Sequence, residues 1–200
     1  MKKKDIIALA IAAVIVVFGG VMFVKTQVAV SENHLAANIT KAVQNKDGDL
    51  FLKQFSKDQQ DIKFSEIGAK SVVTDMHNNS TDSISEIGKI IVDGRHVAGT
   101  KVTYHFNVES KKVLGLFNSY YLTTRKSPVK LYNYTGYGDS MQVKITDGKD
   151  QTITKRELSS GLFPGKYNLD VSTGDYEGAY WVHGSGDGDT IDLEITSDDY

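Results

Sequence analysis

Residues Ile6 to Val24 form an unbroken apolar run, IIALAIAAVIVVFGGVMFV. As a helix this run spans roughly 28 Å, close to the thickness of a bilayer's hydrocarbon core. Lipid offers no partner to backbone N–H and C=O groups, so a lone span has to satisfy them internally, as a helix. Lys2, Lys3 and Lys4 precede the run and Lys25 alone follows it directly. That excess of positive charge places the N-terminus inside and the remainder outside the cell membrane, single-pass. A cleaved signal peptide is the competing reading, but its apolar region is usually only ~7–15 residues and ends in small residues at the cleavage site. The exit here, Thr26-Gln27-Val28-Ala29-Val30, lacks a good small-x-small pair. A buried helix of a soluble protein is the remaining alternative. The expected layout is a tail at 1–5, a transmembrane helix at 6–24 and an extracytoplasmic chain from residue 26.

The sequence has no cysteine. Within it there is therefore no disulfide framework, no four-cysteine zinc site and no thiol nucleophile. The whole chain carries 23 Lys and Arg against 25 Asp and Glu. Setting aside Lys2, Lys3, Lys4, Lys25 and Asp5 leaves 19 against 24 beyond the apolar run. Nucleic-acid binding favours a basic surface, so no nucleic-acid partner is expected. From Leu169 to Tyr200 there are nine acidic residues and no Lys or Arg.

Two textures follow the apolar run. Ser31 can cap a helix that places Leu35, Ile39, Ala42 and Val43 on one face. Asn45-Lys46-Asp47-Gly48 breaks it. Leu50, Phe51 and Phe55 predict a second short helix. Ile67, Ala69, Val72, Val73 and Met76 predict a third, and Ile84, Ile87 and Ile91 a fourth that ends near Asp93-Gly94. The second texture has period two. Val102, Tyr104, Phe106 and Val108 alternate with polar residues, and further strands are expected at 129–134, 141–145, 167–171, 179–182 and 191–195. Turn residues separate them, as in Asp147-Gly148, Pro164-Gly165 and Gly174-Asp175. No long helix lies among these strands to carry parallel crossovers, which favours antiparallel pairing. The fold class is α+β: a mainly helical domain over 26–108, then an antiparallel β-sandwich over 109–200.

Three segments of the second half carry a resemblance. Leu116-Phe117-Asn118-Ser119-Tyr120-Tyr121-Leu122 looks like a strand-entry segment, Ile145-Thr146-Asp147-Gly148-Lys149 like a hairpin, and Phe163-Pro164-Gly165-Lys166-Tyr167 like a Pro-Gly-x-Tyr turn. In this order, after an apolar run and a helical region, they resemble the TcaA/YvbJ family of Gram-positive membrane-anchored envelope proteins. The resemblance implies a membrane helix, a small helical domain and β domains outside the cell, with an association with the envelope and glycopeptide susceptibility. The Pro-Gly-x-Tyr turn occurs in other surface β-sandwiches, so it speaks to architecture more than role. The sequence departs from the family in carrying only Met1 to Asp5 before the run, without a zinc ribbon, and in lacking further C-terminal domains.

Candidate chemistry is sparse. Ser127-Pro128-Val129-Lys130 matches Ser-x-x-Lys, but Pro128 and Val129 open a strand, and the companion Ser-Asp-Asn and Lys-Thr-Gly motifs are missing. His34, His77, His96, His105 and His183 form no metal-binding spacing. No cofactor and no metal site is expected. Asp187 and Asp189, near Asp175 and Glu177, are weak candidates for a hard cation, since Asp and Gly equally suit a tight turn. Tyr132, Tyr134, Tyr137, Tyr176, Tyr180 and Trp181 are candidates for partner binding, because outward rings on a sheet can stack on sugars or anchor a protein. Core packing is the competing role for them. The reading is a non-enzymatic envelope protein that binds a cell-wall component or an envelope protein. The alternative is an enzyme acting on wall polymer, which needs a paired-carboxylate cleft or a nucleophile–base pair.

Overall fold

The computed structural model describes residues 29–99, 103–132, 140–144, 151–171, 176–182 and 189–192. The apolar run at 6–24 lies outside these residues. No helix among the described residues is long and apolar enough to cross a membrane.

Helix α1 (Glu32–Asn45) starts where Ser31 Oγ accepts the His34 N–H at 3.2 Å, and Glu32 places negative charge in the first turn. It stops at Lys46, whose left-handed backbone lets its N–H reach the carbonyls of Ala42 and Val43. Leu35, Ile39, Ala42 and Val43 are fully buried along its inner face. Asp47 caps the next helix, α2 (Gly48–Leu52), by accepting the Leu50 N–H at 2.8 Å. Phe55, expected in that helix, lies beyond its end and bridges to Leu122 instead. A short helix without a sequence signal follows, α3 (Lys57–Gln60), and then α4 (Ser65–Asn79) and α5 (Ile87–Val92). Ala69, Val72, Val73 and Met76 are buried as expected, while Ile67 is half-exposed. Ile84 precedes α5 in a turn, yet still packs against the core.

The strands are β1 (Val97–Ala98), β2 (Thr103–Tyr104), β3 (Asn107–Val113), β4 (Phe117–Thr123), β5 (Val129–Tyr132), β6 (Ser140–Lys144), β7 (Gln151–Thr154), β8 (Gly165–Val171), β9 (Tyr176–Val182) and β10 (Asp189–Asp192). The molecule is α+β with small sheets that are mostly antiparallel. β7-β6-β8-β9 form a four-stranded antiparallel sheet, and β1-β2 and β3-β4 are separate antiparallel pairs. β5 and β10 depart from the expected pattern, because they pair in parallel. Parallel strands need a long connection. Here the segment between them, with the four-stranded sheet and helix α6 (Lys155–Ser160), provides it in place of one long helix.

Two further elements escape the period-two reading. β3 is exposed along most of its length, with Glu109, Ser110, Lys111 and Lys112 in sequence. It is held by pairing with β4 rather than by a buried face, so it carries no alternation. Helix α6 is begun by a capping box. Thr154 Oγ1 accepts the Glu157 N–H, and Glu157 Oε2 accepts the Thr154 N–H at 2.8 Å. Glu157 also pairs with Lys63 at 2.9 Å, which ties α6 to the loop before α4. The Thr154 backbone N–H, then Lys63, hold the Glu157 carboxyl below its usual range. A depressed carboxylate pKa adds stability above the unfolded value, and that stability is lost as pH falls through the folded one. Glu157→Gln is therefore expected to melt earlier than the parent near pH 6, with the gap closing below about pH 4. A gap of constant size across a thermal-melt series would contradict this.

One core serves both textures. Phe55 meets Phe51, Phe106 and Phe163 edge-to-face at 5.3, 5.6 and 5.1 Å between centroids. These rings come from the helical segment, the β2–β3 link and the approach to β8. The core therefore runs across residue 109, which lies inside β3. The Pro164-Gly165-Lys166-Tyr167 segment seals it against α4. The Tyr167 ring is buried beside Phe64, its hydroxyl donates to the Phe163 carbonyl, and the Lys166 N–H donates to Ser71 Oγ at 2.8 Å. A side chain at Gly165 would come within 2.7 Å of the Gly68 backbone, so this strand–helix approach requires glycine.

Candidate functional site

β4 is the element on which the site is built. One edge pairs with β3, in the register Glu109↔Tyr121 and Asn107↔Thr123. The other receives backbone from the helical region. The Tyr120 N–H donates to the Val30 carbonyl at 2.9 Å, the Leu122 N–H to the Gln54 carbonyl at 2.8 Å, and the Ser56 N–H to the Leu122 carbonyl at 3.2 Å. This brings the start of α3 against the last turn of β4.

Between them lies a cleft of about 430 Å³. Ser56, Asp58 and Gln59 from the start of α3 line it together with Asn107 and Glu109 of β3, Tyr121 and Thr123 of β4, and Thr124 and Arg125 just after β4. The lining is predominantly polar. Glu109 accepts from the Thr123 hydroxyl at 3.1 Å and from the Tyr121 hydroxyl at 3.5 Å, so its carboxylate is held in place by two donors. Gln59 Oε1 accepts the Thr124 N–H at 2.9 Å. The Ser56 hydroxyl beside Asp58 holds that carboxyl below the usual carboxylate range. Partial burial, then the charges of Glu109 and Asp58, push the Tyr121 phenol up, so both carboxylates are felt at one ring. Thr124 is only 5% exposed, and its Oγ1 has no hydrogen-bond partner among the described residues. Leaving a buried hydroxyl unpaired costs about 1–3 kcal/mol.

The sequence pointed elsewhere. Tyr132 lies in β5, and Tyr176, Tyr180 and Trp181 lie in β9, an edge strand of the four-stranded sheet. There Tyr180 pairs with Tyr167 and Trp181 with Lys166. Tyr134 and Tyr137 fall outside the described residues, as do Asp187 and His183. Asp189 begins β10. Ser127 is fully buried and bridges Leu162 through the backbone ahead of β5, matching a strand entry and not a helix start. Of the histidines, His34 is exposed on α1, and His77 Nδ1 lies 3.0 Å from the Val43 carbonyl. His96 and His105, nine residues apart, are brought ring to ring at 3.9 Å by the β1–β2 pairing. Among the described residues no group of three or more His, Cys, Asp or Glu is placed to hold a metal ion.

The cleft escaped sequence reading because it joins two groups of residues, 56–59 and 107–125, that lie about 50 positions apart. The one local trace is Glu109 and Tyr121 in strands that look solvated. No family model, no curated protein and no solved structure matches this chain.

Proposed function

We propose that this chain is a membrane-anchored, extracytoplasmic envelope protein that acts by binding, not catalysis. The Asp58–Glu109 cleft is its recognition site for a hydroxyl- and amide-bearing wall component. The observation that carries this is the polar cleft that Asn107, Gln59 and Arg125 line together with Glu109, whose carboxylate two hydroxyls hold in place. Planar amides, carboxylates and an aromatic ring are the groups that hydrogen-bond and flank sugars and peptides. The apolar run at 6–24 supports anchoring, and tethering raises the local concentration so that weak contacts suffice. The motif resemblance adds a link to wall stress and glycopeptide susceptibility, and a sandwich arrangement of the β part.

The enzyme reading draws on Asp58 and Glu109 sharing one cleft. A general acid for glycoside cleavage needs a raised carboxyl pKa. Asp58 is shifted downwards and Glu109 already accepts two hydroxyls, which favours binding.

Titration of the full chain with soluble peptidoglycan fragments tests this. Asn107→Ala and Arg125→Ala are expected to weaken binding about 10-fold each, in line with loss of one or two hydrogen bonds. Fragment binding unchanged in both variants would refute the site. Fragment hydrolysis that Glu109→Gln abolishes would replace it with the enzyme.

A further inference from the structure

The tip of the β3–β4 hairpin is built for contact with something apolar. Leu114 and Leu116 are 70% and 61% exposed, the exposed large hydrophobics among the described residues, and half-buried Val113 and Phe117 flank them. The turn is closed by the Leu116 N–H donating to the Val113 carbonyl at 3.1 Å, with Leu114 and Gly115 both left-handed at φ 49° and 70°. Asn or Gly suits the first of these positions far better than Leu, whose Cβ crowds the backbone there. A bulky apolar side chain is thus kept, largely in solvent, where the turn itself disfavours it. Just behind the tip stand two exposed lysines, Lys112 and Lys111, the latter with its ammonium 5.8 Å from the Tyr121 ring centre.

The tip's position is tied to the chain's entry point. Val30 is bonded to β4 at Ser119 and Tyr120, its N–H donating to Ser119 Oγ at 3.1 Å. Tyr120 is three residues from the start of β4 and five from Gly115, so Val30 sits roughly 15 Å along the strand from the turn. Between Val24, the end of the apolar run, and Val30 lie five residues, which reach at most about 20 Å in any conformation. A folded unit of this size is about 30–40 Å across. With the run in the bilayer, the tether is shorter than the domain and keeps the Val30 side near the membrane surface, with the turn roughly 15 Å along β4 from that point.

We propose that Val113 to Phe117 dips into the interfacial layer of the membrane in which the chain is anchored. Leu114 and Leu116 enter the headgroup region and Lys111 and Lys112 face anionic lipid. This second contact fixes the domain's orientation and directs the Asp58–Glu109 cleft. Apolar side chains with a basic collar match such a surface. The inference rests on the anchored reading of residues 6–24.

The test uses the full chain in vesicles of phosphatidylglycerol and phosphatidylcholine. The sequence has no cysteine, so Leu116→Cys carries a single polarity-sensitive dye. Lys41→Cys, exposed and about 15 Å along α1 from the entry point, is the control. Headgroup-level quenching lipids are expected to quench the dye at 116 at least threefold more than at 41. The difference should shrink with Lys111→Glu plus Lys112→Glu. Leu114→Asn, which suits the turn, is expected to preserve folding while cutting quenching at 116. Co-flotation with equal, low quenching at both positions overturns the membrane contact alone. Shielding at 116 that depends on protein density and persists in detergent assigns the tip to a second copy and also overturns it. Failure to co-float removes the anchor, and the inference with it.

Discussion

Replacing Gly88 with alanine is expected to destabilise the protein by about 3 kcal/mol, the upper end of what overpacking usually costs. Gly88 opens α5 where it crosses α1. A methyl group there would lie 1.9 Å from the Ala36 carbonyl oxygen and 2.5 Å from Thr40 Oγ1. The first is backbone of a helix whose Leu35 and Ile39 are fully buried, so it cannot swing aside. The helices would have to separate, and the Gly88 N–H would lose its 3.1 Å bond to Thr40 Oγ1. Alanine gains about 1 kcal/mol over glycine in intrinsic helix preference, which opposes the loss without matching it. Gly94→Ala is the comparison. Nothing lies within 4 Å of a methyl group there, although the left-handed φ of 74° still penalises alanine. Its cost should stay near 1–2 kcal/mol. Urea unfolding followed by circular dichroism would rank the two. Gly88→Ala at or above the parent's stability would mean that α1 and α5 do not cross as described.

The second large effect concerns Asp75, an acid buried to 4% exposure in α4. Its Oδ2 accepts the Tyr104 hydroxyl at 2.8 Å and its Oδ1 accepts Asn79 Nδ2 at 2.9 Å. The pair ties α4 to β2 across 29 positions of sequence. Removing one partner of a buried charged pair strands the other, at about 3–5 kcal/mol. Asp75→Ala is expected to cost about 3 kcal/mol, since it leaves a neutral phenol and an amide unpaired rather than a charge. Tyr104→Phe should cost about 2 kcal/mol, by taking a donor from the carboxylate. The double variant should fall short of the sum by about 1–3 kcal/mol. Additive losses would show that the two groups do not interact. Burial, and after it the Asp75 hydrogen bond and charge, raise the Tyr104 phenol well above its usual range. A raised folded pKa gives stability that is whole below the unfolded value and lost as pH climbs past it. The parent should therefore weaken above about pH 10, and Tyr104→Phe should weaken less steeply there.

Much of the helical half was legible because its signals are local. Ser31 precedes the apolar-periodic residues it caps, and Leu35, Ile39, Ala42 and Val43 repeat at helical spacing. The strands near residues 130, 142, 169, 180 and 191 likewise lie where β-branched and aromatic residues alternate between turn residues. The capping box Thr154-x-x-Glu157 was equally local and readable, yet it marks a helix too short to show periodicity. β3 was not legible, since Glu109 to Lys112 are polar on both faces. Its strand form comes from pairing with β4, which no pattern within β3 announces.

By itself, then, the sequence determined the longer helices, most of the alternating strands, and that one run is long and apolar enough for a bilayer. Periodicity and capping are set by neighbours a few residues apart. Tertiary structure alone decided what each face packs against. It turned β5 and β10 parallel, set Phe55 among rings from three segments and joined His96 to His105. It also placed Asp58 and Glu109 around one cleft. The apolar run gains meaning from the same source. Only the hydrogen bonds of Val30 to β4 reveal that the chain enters the domain beside Ser119 and Tyr120, because proximity across 89 residues leaves no local trace.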